Sequence, residues 1–401
     1  MHASRTELEA LVRKLDDAGA LALVPRDEIS DWGEACGLFR VAKDAEHDRL
    51  ILNPTVINSR MSSISRSTKR LGVGFLLTRL ELAEGEWYEL SSDDLREFYY
   101  TFRVSEARAR RNVLRATLSA SFARTLRAWR PEMEGRTLCP ALAVLAMGDN
   151  LAVEIAQSAH EGLLRSIGAL QPECRLLGRQ PVPRSAFVEL LNIDDHTALQ
   201  RLSHAGSERA PRPDGPDRLD LSTFAACEEA YSRVGLVQHP GKRVRGSSHS
   251  TIVGAEIEGR IGVVSSPLCR LAALVRLTLL QVQLPRSTPG ILQSLVGSWT
   301  AAFLYRRPLL STFTKIYVFL ASLSDLDPDD PIDVPSYIRD ELLLAALLAP
   351  FAHKNLRAAA SPFLYGTDAS LRKGAIVRAP SATRSVGNFI VRASTEGGTL
   401  G

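Results

Sequence analysis

The 401-residue chain is 45% hydrophobic and 23% charged, with a formal net charge of +4, the composition of a globular protein whose core is large enough for about two or three domains. A mildly basic balance permits nucleic-acid binding without demanding it. The five cysteines, Cys36, Cys139, Cys174, Cys227 and Cys269, lack metal-type spacing and read as reduced thiols of an intracellular protein. No apolar signal core opens the chain. Its most apolar stretch, 271–304, is interrupted by Arg276, Gln281, Gln283, Pro285 and Arg286, which argues against a membrane span.

Residues 4–24 read as an amphipathic helix capped by Ser4, with Leu8, Leu11, Val12 and Leu15 at helical spacing. Two short apolar runs, 36–43 and 49–54, predict a hairpin whose tip is flanked by Lys43 and Arg49; Asn58 follows nine residues after Arg49. Residues 86–94 read as a strand ending in Asp93 and Asp94, followed by an aromatic turn with Phe98, Tyr99 and Tyr100. From Arg103 to Arg136 nine arginines meet few acids. A long Arg-rich helix is expected over about 105–130, with Val113, Leu114, Leu118, Phe122 and Leu126 on its apolar face. Residues 145–157 read as a loop containing Met147 and Gly148 that enters a helix through Gln157 and His160 to about Ile167.

The stretch from Ser185 to Leu199 carries most of the chemistry. An apolar strand-like run drives into two adjacent aspartates, Asp194 and Asp195, then returns. Phe187, Glu189, Leu191 and Ile193 share one face; Val188, Leu190, Asn192 and Asp194 share the other. Two anions side by side at the end of a half-buried strand repel each other and resist desolvation, so they call for a cation. Magnesium, which prefers carboxylate oxygens, is the natural one; a solvent-exposed turn is the plain alternative. The same dipeptide at 16–17 and 329–330 reads as solvated surface.

Residues 203–218 are polar and rich in Pro and Gly, an exposed loop. A helix over about 222–233 leads to Gly235-Leu236 and Lys242, then to a strand over 250–257. Residues 266–323 are helical by period and form a second mass containing Arg306-Arg307. The Asp/Pro-rich 325–335 segment leads to a helix over 336–349, then Thr367-Asp368-Ala369-Ser370, a short strand over 374–378 and a loose tail.

Each stretch is ambiguous alone, but their order is not. From about residue 36 to 378 the series resembles the reverse transcriptases of long-terminal-repeat and tyrosine-recombinase (gypsy-like and DIRS-like) retrotransposons. Arg49 and Asn58 match the spacing of that family's fingers motif, with Asn53 where Asp is usual and Thr55 where Arg is usual. Asp94 followed by Tyr99 resembles its first catalytic strand, which favours Asp94 over the competing Asp93. Met147-Gly148 through Gln157 has the length of its Gly-to-Gln loop and helix, with Ala152-Val153 for the usual Ser-Pro. Asn192-Ile193-Asp194-Asp195 looks like Tyr-X-Asp-Asp with Asn for Tyr, and Gly235-Leu236, Lys242 and Val253-Gly254 follow in the family's order. Thr367-Asp368-Ala369-Ser370 with Gly374 resembles the opening of a ribonuclease H domain. About 30 residues remain after it, fewer than that domain's later acids require, so Asp368 reads as vestigial or truncated.

The resemblance implies an α+β right-hand polymerase: an N-terminal helical segment (1–35), fingers and palm with an antiparallel sheet (36–260), a helical thumb or connection (261–355), and a partial ribonuclease H-like segment with the tail (356–401). It implies RNA-directed DNA polymerisation with two Mg2+ ions (Mn2+ as a substitute) held by Asp94, Asp194 and Asp195. The partners implied are an RNA or DNA template–primer and deoxynucleoside triphosphates, with no membrane. Lys43 and Arg49 would grip the triphosphate, Tyr99 would exclude a 2′-hydroxyl or is a core tyrosine, and Met147, Gly148 and Gln157 would support the template–primer. Lys242 is a general acid for pyrophosphate or a phosphate-tracking cation. The Arg-rich helix and Arg306-Arg307 would follow the duplex backbone. His160, His196 and His239 lack zinc spacing and read as structural or surface residues. The competing reading, motivated by Asn53, Thr55, Ala152-Val153 and Asn192, is a catalytically silent nucleic-acid-binding relic.

Overall fold

In a computed structural model of the chain, residues 4–42, 48–62, 68–215, 218–359, 361–369 and 374–380 are described. In chain order the first elements are α1 (Arg5–Asp17), β1 (Leu21–Pro25), β2 (Gly37–Ala42), β3 (Asp48–Asn53), α2 (Thr55–Ser59) and β4 (Glu86–Asp94). Then come α3 (Phe98–Thr101), α4 (Glu106–Ala109), α5 (Ala120–Ala123), β5 (Leu138–Leu142) and α6 (Ala152–Ser166). Strands β6 (Phe187–Asn192) and β7 (Asp195–Ser203) precede α7 (Leu219–Arg233), β8 (Val244–Ser247), β9 (His249–Ile252), β10 (Ala255–Glu258) and β11 (Val263–Ser265). Next are α8 (Leu268–Gln283), β12 (Arg286–Ser287), α9 (Pro289–Phe303), α10 (Lys315–Ser322) and β13 (Ile332–Asp333). The remainder is α11 (Ser336–Leu348), β14 (His353–Asn355), β15 (Phe363–Ala369) and β16 (Gly374–Pro380).

The elements gather into two compact units, each built from several stretches. The first comprises Met1–Arg70, Asp94–Ile167 and Glu228–Pro240. Its helix α1 opens on a capping box, Ser4 with Glu7, and stops at Asp17 rather than running to residue 24. The apolar residues beyond it belong to β1, which pairs antiparallel with β5 from Leu21↔Leu142 to Pro25↔Leu138. Val12, Leu21, Leu23, Leu118, Leu126 and Leu138 close over this pair. A neighbouring cluster of Cys36, Leu52, Ile57, Leu114, Leu142 and Ala146 anchors the β2–β3 hairpin.

The long Arg-rich helix expected over 105–130 does not form. It is replaced by the short helices α4 and α5 and by extended segments whose amides bond to distant strands: Leu114 N to the Pro140 carbonyl at 2.8 Å, and Leu118 N to that of Leu138 at 2.9 Å. Non-local strand pairing has overridden helical periodicity here. Most of its arginines clamp their own chain: Arg108 pairs with Asp149, Arg110 with Glu28, Arg124 with Glu134 and Arg127 with Asp17, and Arg115 reaches the Gly33 carbonyl; beyond it Arg136 bonds Asp27 and Glu28. Asp16 is also not surface: it is 5% exposed and its carboxylate accepts from the amides of Arg127 and Ala128.

The second unit comprises Leu71–Asp93, Gly168–Cys227 and Gly241–Gly401. Its main sheet has the order β6-β7-β4-β8, and a second has the order β14-β11-β10-β9. Tyr88, Leu90, Val188, Leu190, Leu199 and Ile257 are among the residues of the core they share. The strand expected over 250–257 is a hairpin, β9–β10, turning at Val253 and Gly254 with φ of 41° and 80°. Both loop positions have positive φ, as a two-residue hairpin loop twisted with its strands requires. Helices α8 to α11 surround a separate core built on Trp299, Phe303, Leu292, Ile316 and Leu342, where the Trp299 indole donates to Thr278 Oγ1 at 2.8 Å. Strands β15 and β16 pair from Phe363↔Pro380 to Ala369↔Gly374, with Asp368 opposite Ala375.

Candidate active site

Strand β6 is buried from Phe187 to Leu191, and burial ends at the turn, where Asn192, Ile193, Asp194 and Asp195 are all half-buried. Asn192 pairs with Asp195, leaving a two-residue loop of Ile193 and Asp194. Ile193 has φ 56°. A β-branched residue in the left-handed region is strained, on the order of 1–2 kcal/mol, and persists only where the surroundings over-determine it. Two carboxylates therefore sit at a fixed, partly hydrated tip with a buried strand on either side. Along β6, Val188 and Leu190 pack into the shared core while Phe187 joins Ala198 and Phe224 on the other face, as the period of two demands.

Strand β4 ends in the other pair of acids, and the structure tells them apart. Asp93 is 2% exposed, and one guanidinium nitrogen of Arg245 meets both its carboxylate oxygens at 2.9 Å. Asp94 is half-buried, and its carbonyl accepts from the His239 amide at 2.8 Å. Alternation puts Tyr88, Leu90, Ser92 and Asp94 on one face of β4 and Trp87, Glu89, Ser91 and Asp93 on the other. Beyond it Glu97 turns with φ 51°. Phe98 is 2% exposed and meets Phe102 edge-on, whereas Tyr99 is half-buried. The Tyr100 hydroxyl bonds the Leu50 carbonyl at 2.7 Å, and burial pushes its pKa up.

In the first unit the Gly148 turn is tied to β3 and α2. Asn58 donates to the Gly148 carbonyl at 2.8 Å and accepts from the Asn150 amide at 3.2 Å, while Leu52 N bonds the Met147 carbonyl at 3.0 Å. Gly148 has φ 108°, and a Cβ there would overlap the Leu52 carbonyl oxygen. Its lack of a side chain thus serves an internal contact. Asn53 and Thr55 bond to one another at the start of α2. Gln157 is fully buried on α6 and donates to Glu161 at 3.1 Å, so it acts on α6 from within. Arg49 is exposed on β3, and Lys242 is exposed in a short turn of helix before β8. Lys43 lies outside the described residues.

Sequence reasoning missed a buried polar cluster behind the tip. Glu189 and His196, 1% and 0% exposed, bond through Oε1 and Nε2 at 3.0 Å across the β6–β7 pair. Glu189 Oε2 also accepts from the Leu170 amide at 2.8 Å. The one available signal was a glutamate on the inner face of an otherwise apolar strand. His160, also read as structural, is buried and bonds the Tyr231 hydroxyl at 2.9 Å.

Asp194 and Asp195 are hard oxygen donors suited to Mg2+. Among the described residues, no group of three or more His, Cys, Asp or Glu able to hold a metal by itself is found, and no helix is long and apolar enough to cross a membrane.

No family model matches the chain, and no curated protein matches it. Solved structures do. A foamy viral protease-reverse transcriptase with an RNA/DNA hybrid aligns at TM-score 0.56 and 12% identity, over 95% of this chain and 42% of that one. The same enzyme with double-stranded DNA aligns at 0.55 and 14%, over 95% and 64%. A form of it called dRH, also with double-stranded DNA, aligns at 0.55 and 14%, over 94% and 53%. The fold is reverse-transcriptase-like. The chain spans less than two thirds of each of those chains.

Proposed function

We propose that the chain is an RNA-directed DNA polymerase of a retroelement of the long-terminal-repeat or DIRS-like kind. The observation that carries this reading is the strained Ile193-Asp194 loop, which presents two half-buried carboxylates at the end of a buried hairpin in a reverse-transcriptase-like fold. Asp94, Asp194 and Asp195 would hold two Mg2+ ions, or Mn2+ in their stead. The ions would activate the primer 3′-hydroxyl and neutralise the triphosphate. Asp93 is committed to Arg245, which supports the choice of Asp94.

Tyr99 would face the incoming sugar and reject a 2′-hydroxyl. Arg49, with Lys43, would grip the triphosphate as fork donor and point charge, and Lys242 would protonate pyrophosphate or track a phosphate. Met147 and Gly148 would support the template–primer, with Gln157 acting through α6. Fingers and palm would occupy 36–260, the thumb or connection 261–355, and β15–β16 the opening of a ribonuclease H-like segment. The nucleic acids bound by the foamy viral enzymes support a template–primer as partner.

The test is Mg2+-dependent extension of oligo(dT) on poly(rA). The proposal expects extension by the wild type and its loss in Asp194→Asn. Binding of the duplex without extension would instead favour a silent relic, the reading to which the Asn53–Thr55 bond lends weight.

A further inference from the structure

The buried cluster behind the Asp194-Asp195 tip forms a continuous path within the second unit. Glu189 bonds His196, and the His196 ring stacks on Phe224 with centroids 4.7 Å apart and planes 12° from parallel. The Arg245 guanidinium lies 4.5 Å from the Phe224 centroid and binds Asp93 through both carboxylate oxygens. His196 Nδ1 also contacts Cys227 Sγ at 3.7 Å. The path crosses one face of the sheet from the β6–β7 hairpin to β4.

A buried Glu–His pair is an inefficient way to stabilise a fold. Desolvating both groups offsets most of their attraction, and a well-packed apolar pair serves as well or better. What such a pair supplies is a defined arrangement. His196 directly follows Asp195, and Asp93 directly precedes Asp94. On a strand, fixing one side chain to one face fixes the direction of its neighbour to the other. The strained Ile193 likewise needs a frame that over-determines it.

We propose that Glu189, His196, Phe224, Arg245 and Asp93 are a brace that positions the carboxylates beside its two ends. They are positioning residues, and the role rests on the polymerase reading above. The decisive variant is the double substitution Glu189→Leu with His196→Phe, which keeps volume and the stack on Phe224 but removes the polar link. His196→Phe alone would leave a buried carboxylate without its histidine partner and is the variant at risk of misfolding; Glu189→Gln, which can still hydrogen-bond His196, is the conservative rescue.

Two readouts are taken together: kcat against KM for the nucleotide in primer extension, and hydrogen exchange of the amides of 190–197. The brace predicts kcat per folded molecule down by roughly 10- to 100-fold, KM little changed and faster exchange at the tip, with any fall in melting temperature limited to the loss of the acceptor for the buried Leu170 amide. Glu189→Gln should stay near wild type in both. A double variant with wild-type kcat, with wild-type exchange, or with kcat lost only in proportion to unfolded protein overturns the brace. If the wild type itself extends no primer, the polymerase reading fails. Exchange then decides the brace alone: faster exchange at the tip sustains it and unchanged exchange ends it.

Discussion

Arg245 closes on Asp93 with one nitrogen 2.9 Å from each carboxylate oxygen, and the neighbouring Asp94 lies on the opposite face of β4. The first acid is held by a cation, and the second is the one proposed above as a metal ligand. Asp93→Ala should therefore lower stability by roughly 3 kcal/mol, the cost of stranding a mostly buried cation. Asp94→Asn should leave the unfolding midpoint nearly unchanged. It should reduce primer extension on the order of 1,000-fold, the effect of losing several kcal/mol of charge stabilisation. Denaturant titration beside extension assays separates the two, and a reversed pattern would reassign the acid to Asp93.

Phe98 and Tyr99 make a second contrast between adjacent residues. Phe98 is 2% exposed and packs on Phe102 and His160, so Phe98→Ala should cost about 3–5 kcal/mol of stability. Tyr99 is half-buried, and Tyr99→Ala should leave the fold largely intact. On the polymerase reading proposed above, ribonucleotide incorporation relative to deoxyribonucleotide should rise roughly tenfold or more. Competitive single-nucleotide incorporation measures this ratio; an unchanged ratio would make Tyr99 a core residue.

What was legible in the sequence was local. The β6–β7 hairpin could be read because buried alternation runs straight into charge, and α6 and the α8–α11 mass because their apolar residues recur at helical spacing over whole turns. The 105–130 segment misled for a physical reason: Val113, Leu114 and Leu118 satisfy a helical stripe, yet Val113 and Leu118 bridge to β5 and Leu114 to Cys36 just before β2, contacts that no local window contains. Leu21, Leu23 and Val24 extended the pattern of α1 in the same way, though they belong to a strand. The roles of Glu189 and Asp93 were not legible, because their partners His196 and Arg245 become neighbours only across the sheet.

Gly148 takes φ 108°, and any Cβ there would run into the Leu52 carbonyl oxygen, whose amide is held by Met147. Gly148→Ala combines backbone strain with overlap against backbone that cannot easily yield, for a loss of roughly 2–4 kcal/mol. Urea unfolding should show the midpoint fall. A variant as stable as wild type would mean that the turn can flip away from β3.

Glu256 supplies a pH dependence whose sign can be worked out. Its carboxylate accepts from the Leu268 amide at the start of α8 at 2.6 Å and from His249 at 3.1 Å, with Glu258 also 3.3 Å from that imidazole. The backbone hydrogen bond from Leu268 is the chief cause that holds its pKa below the ordinary carboxylate value, with His249 adding to it against the opposing effect of burial. A depressed folded-state pKa means that the charged form is favoured by folding. Its contribution is full above the ordinary value of about 4.5 and is lost as pH falls through the lower folded-state value. Glu256→Gln keeps an acceptor but no charge, so it should be less stable than wild type at pH 7, and the gap should begin to narrow as pH falls below the ordinary value of about 4.5 and go on narrowing through the lower folded-state value. Unfolding midpoints for both proteins across pH 3 to 7 test this, and a gap constant over that range would rule out the Glu256 charge as its source.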